Sequence, residues 1–103
     1  MKKTVEQLTK EFIEIMTENG FEATGEKDYA GNDIYSRKWE RTSEVVWHGL
    51  VHSSYEIRAK ISYGYPLIQI YQDGRRTDTR DYSSPKRALN AMKEIIRFAG
   101  YEF

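Results

Sequence analysis

Residues 55–74 read Tyr55-Glu56-Ile57-Arg58-Ala59-Lys60-Ile61-Ser62-Tyr63-Gly64-Tyr65-Pro66-Leu67-Ile68-Gln69-Ile70-Tyr71-Gln72-Asp73-Gly74. Over the first nine, apolar and tyrosyl residues alternate with Glu56, Arg58, Lys60 and Ser62. Successive side chains of a strand point to opposite faces, so this pattern makes one dry face and one wet face. Pro66 interrupts the pattern. A second run, Leu67 to Gln72, then closes on Asp73-Gly74, a dipeptide suited to a tight hairpin turn. The stretch therefore predicts a half-buried antiparallel sheet.

Upstream, Ile34 to Arg41 and Glu44 to His52 are rich in β-branched and aromatic residues. A turn at Arg41-Thr42-Ser43 would pair them, and His52-Ser53-Ser54 would turn the chain into the next strand. The expectation is a meander of about four main strands, with short additional ones at residues 21–24 and 75–80. Residues 25–33 are turn-rich and read as loop.

A helix is expected at each end. Thr4 and Gln7 have capping-box spacing, and Val5, Leu8, Phe12, Ile15 and Met16 form an apolar stripe that Asn19-Gly20 ends. Ser84 is a suitable N-cap with Pro85 at the first helical position, Leu89, Met92, Ile96 and Ala99 form the second stripe, and Gly100 stops it. The predicted fold is a single α+β domain over residues 1–103, with two layers and both helices on one face of the sheet.

The chain has 103 residues, no cysteine and a formal net charge of zero. Absence of cysteine excludes disulfides and thiolate chemistry and fits a reducing compartment. The N-terminus shows no apolar signal-peptide core, and no stretch approaches the roughly 18 apolar residues of a membrane span. A cytoplasmic protein without membrane association is expected. Charge is uneven: residues 1–32 hold four Lys against seven acids, and residues 75–103 hold seven Lys and Arg against four acids.

His48 and His52, the two histidines, fall in a predicted strand. Four residues of strand span about 13 Å, too far to share one metal ion. The serines at 43, 53, 54, 83 and 84 sit in turns and caps, where backbone hydrogen bonding explains them. Asp73, Asp78 and Asp81 alternate with Arg75, Arg76 and Arg80, as on a solvated ribbon. No catalytic constellation, metal site or cofactor is predicted, and the chain reads as a non-enzymatic protein.

Eight Tyr, four Phe and two Trp exceed what so small a core hides. Exposed rings beside arginines make protein-contact surfaces, and the predicted partner-binding set is Trp39, Tyr65, Tyr71, Arg75 and Arg76. The open side of the sheet is the expected location of function. The oligomeric state is left open: a flat exposed edge strand would be able to pair two copies, and Lys60, Arg58 or Pro66 would instead protect against that. The alternative is a nucleic-acid surface of Arg75, Arg76, Lys86, Arg87, Lys93 and Arg97. Ser84-Pro85-Lys86-Arg87-Ala88-Leu89-Asn90-Ala91 resembles the start of the final helix in double-stranded RNA-binding domains, whose order is helix, three strands, helix. That resemblance implies phosphate contacts from Lys86 and Arg87. It departs from the family at Pro85 and Leu89, where lysines are preferred, and lacks the family's glycine-proline-x-histidine loop. In size, neutrality and lack of cysteine the chain also resembles small accessory proteins of phages and mobile elements, which implies an inhibitor or adaptor of a host factor.

Overall fold

Thr4 and Gln7 form the reciprocal cap that their spacing predicts. The Gln7 backbone N–H donates to Thr4 Oγ1 at 3.1 Å, and the Thr4 N–H donates to Gln7 Oε1 at 2.9 Å. They open α1 (Val5–Glu18) in the computed structural model, which describes residues 4–47 and 49–103. Its last turn closes with the Phe21 N–H on the Met16 carbonyl (2.9 Å) and the Gly20 N–H on Thr17 (3.3 Å). The C-terminal helix α2 (Pro85–Phe98) starts at Ser84, whose Oγ accepts from the Arg87 N–H. It ends in the same two-bond pattern, from Tyr101 to Ile96 and from Gly100 to Arg97.

Between the helices run β1 (Glu22–Lys27), β2 (Asp33–Val45), β3 (Gly49–Ser62), β4 (Tyr65–Gln72) and β5 (Arg75–Asp81). They form one antiparallel sheet in the order β1-β2-β3-β4-β5. The two short pieces at 21–24 and 75–80 are therefore full members of a five-stranded meander. The turns expected at residues 41–43 and 52–54 are absent, because these two stretches pair with each other as Arg41↔Ser53, Thr42↔His52 and Ser43↔Val51. Reversal occurs instead between Val45 and Gly49, where Gly49 supplies a φ of +71°. Serine and threonine are compatible with either structure, and the pairing of two long strands outweighs their turn preference. Likewise the break after Ser62 is made by Tyr63-Gly64, with φ of 50° and 81°, the sign pattern of a two-residue hairpin turn. Pro66 lies within β4, buried, and its carbonyl accepts the Tyr82 N–H at 2.9 Å.

The alternation of residues 55–62 orients as read. Ile57, Ala59 and Ile61 point into the core beside Ile68 and Ile70 of β4. Phe12 and Met16 of α1 and Ala88, Met92 and Ile96 of α2 cover them from the same side. The edge of this core is closed by the C-terminal tail. On β2, Arg37 donates to the carbonyls of Asn19 and Phe103 (both 2.8 Å), Trp39 Nε1 to Glu102 (3.0 Å) and Arg41 to Gly100 (3.1 Å). These three residues share the helix-side face of one strand, so they form a row of donors that holds residues 100–103 across it. Among the described residues no helix is long and apolar enough to cross a membrane.

β1 joins β2 only as far as Glu22↔Ser36, and β4 joins β3 only from Tyr55↔Gln72 onward. Past these points β2 and β3 continue alone as a two-stranded ribbon. The molecule measures 57 × 25 × 21 Å.

Candidate functional site

At the ribbon's end the sequence Val45-Val46-Trp47 leads through the turn to Leu50-Val51. Val46 and Trp47 are each 88% exposed and Leu50 is 75% exposed, with Val45 and Val51 also open. β2 and β3 carry this apolar tip beyond both helices, so no other element covers it. Covering the Trp47 ring would remove about 150–250 Å² from water, about 4–6 kcal/mol before the costs of association. The run had the composition of a core strand, which hid it from sequence reasoning. The one available signal was Gly49, which marks the reversal and makes its apolar neighbours a tip.

The predicted partner-binding residues fall in different places. Trp39 is 7% exposed, which corrects its expected role as a contact residue. It points to the helix side and packs on Phe21 and Phe103. Tyr71 is half-buried beneath Arg58, whose guanidinium lies 5.2 Å from its ring centroid. Arg76 faces Tyr71 across β4 and β5, and Arg75 precedes it, both exposed. Tyr65 is 56% exposed but sits at the far end of β4, about 20 Å from Tyr71. There it joins Tyr63, Val5 and Leu8 around a shallow cleft of about 370 Å³.

The cations of the alternative surface do not all lie together. Arg75 and Arg76 begin β5, whereas Lys86 and Arg87 lie beyond its other end, more than about 20 Å of strand away. Lys93 stands 5.9 Å from the Phe103 ring centroid, over the tail. Arg97 occupies the last turn of α2. Arg80 donates to Asp78 Oδ2 at 2.6 Å, an ion pair that lowers the Asp78 pKa and raises that of Arg80.

On the open face Glu56, Arg58 and Lys60 are present as expected, but they are engaged with one another and with β1. Glu56 accepts from Ser36 Oγ (2.8 Å) and Arg58 Nε (3.2 Å), and Arg58 reaches Glu26 at 3.5 Å. Lys60 meets Asp28 at 3.1 Å. Asp28 also accepts from the backbone N–H groups of Ala30 and Asn32 and from the Asn32 side chain. Those hydrogen bonds, Asn32 foremost, hold its carboxyl well below the usual carboxylate range. The folded value lies below the unfolded one, so the loop's contribution is intact above the ordinary aspartate range and is given up as pH falls beneath it. In an NMR titration the Ala30 and Asn32 amide shifts should stay flat from about pH 6 to about pH 3. A midpoint at the ordinary aspartate value would show that the loop is not held this way.

His52 lies in β3 with Nδ1 3.3 Å from Thr42 Oγ1, and His48 lies outside the described residues. Among the described residues no group of three His, Cys, Asp or Glu is placed to hold a metal ion. Comparison of the chain with protein-family models, curated proteins and solved structures found no match.

Proposed function

We propose that this chain is a non-enzymatic binding module that acts by protein–protein contact through the tip of the β2–β3 ribbon. The observation that carries this reading is the solvent exposure of Val46, Trp47 and Leu50 at the end of a projecting ribbon. Apolar side chains grouped in that way mark contact surfaces, and a central tryptophan is the residue type most often dominant in them. The narrower role, an inhibitor or adaptor of phage or mobile-element type, has its support in size and composition.

The test is capture by the tagged chain, reading every retained protein, untagged copies of the chain included. Replacing Trp47 and Leu50 by serine should weaken that retention about 30-fold or more. Stability should change little, within about 0.5 kcal/mol, because neither side chain is packed. Equal retention by wild type and variant would refute the proposal. A gel shift of DNA or RNA at low salt that disappears on Lys86→Glu with Arg87→Glu would move the reading to nucleic acid.

A further inference from the structure

We propose that the ribbon carrying this tip receives a second copy of this chain: the free edge of β2, residues 37–45, pairs antiparallel with the same edge of its partner. This names the occupant and so rests on the protein-contact reading. The edge is free because β1 pairs with β2 no further than Ser36, and residues 37–45 have no strand on that side among the described residues. Nine residues extend about 30 Å, and their outward backbone groups are a template for another strand.

Two identical stretches pair along their whole length only when centred on their midpoint, here Arg41, with a two-fold axis through it. In that register Lys38 faces Glu44 of the other copy and Glu40 faces Thr42, each twice by symmetry. Among the described residues Lys38, Glu40 and Glu44 form no ion pair within one chain, so these charges are available. Registers displaced by one same-face step are worse: one sets Glu40 opposite Glu44, the other sets Glu40 opposite Glu40, and like charges directly opposite are destabilising. At the axis the two Arg41 side chains face each other on the helix side, the one like-charged pair of this register, set against the two Lys38–Glu44 pairs. Each is already drawn to its own tail, 4.8 Å from the Tyr101 ring centroid and hydrogen-bonded to the Gly100 carbonyl.

The ends fit as well. With Arg41 at the centre, Val45 falls opposite Arg37, beside the point where the other copy's β1 begins, and the turn residues Val46 and Trp47 follow at that end. A cleft of about 470 Å³ lies there, lined by Gly20, Glu22, Ala23, Ser36, Arg37 and Lys38 among others. The tip of each copy is therefore brought beside this cleft on the other, and the strand pairing ends where β1 already occupies the edge.

Sedimentation equilibrium of the full chain tests this, with circular dichroism as the control for folding. The expected mass is twice that of the 12.2 kDa chain. Lys38→Glu and Glu44→Lys should each weaken the dimer about tenfold or more, since each turns two facing pairs repulsive. The double substitution exchanges the charges and should restore association, and Trp47→Ser should weaken it in either background. A monomer at every concentration, or a dimer indifferent to the charge exchange, overturns the inference. If the monomeric chain still captures another protein through Trp47 and Leu50, the second-copy inference falls while the contact reading stands. If the chain is monomeric and the tip captures nothing, both fall.

Discussion

Trp39→Ala is expected to destabilise the fold by about 3–5 kcal/mol, measured as the loss of urea midpoint at unchanged slope. The indole stacks within 5.7 Å of the Phe103 ring centroid, meets Phe21 edge-on at 6.2 Å and carries the Arg37 guanidinium at 4.7 Å. Truncation empties a site bounded by the sheet, the end of α1 and the tail, which are not free to collapse together. Domains of this size are stable by about 5–15 kcal/mol, so much of the total is removed. Trp39→Phe keeps most of the apolar area but leaves the Glu102 carbonyl without its donor, a loss of about 1 kcal/mol. Were Trp39 a contact residue, alanine would leave stability unchanged and reduce binding; a loss below about 1 kcal/mol would refute its structural role.

Arg37→Lys should cost about 2–3 kcal/mol despite conserving the charge. The guanidinium lies against both the Trp39 and Phe103 rings, at 4.7 and 4.8 Å from their centroids, and donates in two directions, to the carbonyl that ends α1 and to the tail. A lysine ammonium offers neither the flat surface for stacking nor the fork that spans both carbonyls. Burial pushes the Arg37 pKa below its ordinary value, and the group stays cationic at neutral pH. Hydrogen exchange of the Tyr101 to Phe103 amides should accelerate in the variant while the β3–β4 ladder keeps its protection. Unchanged exchange in the tail would mean that Arg37 does not hold it.

The two helices and the residue 55–62 strand were legible because each depends on local periodicity and on end signals that no tertiary contact overrides. Thr4, Gly20, Ser84 and Gly100 all act where the sequence puts them. The ribbon was not legible in the same way. Arg41-Thr42-Ser43 has turn chemistry, yet its place opposite Val51 to Ser53 is decided by the partner strand, which no local window contains. The donor row of Arg37, Trp39 and Arg41 shows a related limit. Trp39 read as a contact residue because the tail that covers it lies some sixty residues further on. The same covering buries Trp39, and the reversal at Gly49 leaves Val46, Trp47 and Leu50 exposed at the ribbon's end.

The chain's two tryptophans thus occupy opposite environments, one sealed under the tail and one at the ribbon's end. Their emission is expected to separate accordingly: Trp39 lies under the tail beside the Arg37 guanidinium, shielded from a dissolved quencher, and Trp47 lies in water. With iodide present, the unquenched signal follows unfolding and the quenched signal follows occupation of the tip. The native protein therefore contains two optical reporters, and unfolding can be followed separately from any change at the tip in a single cuvette without a label.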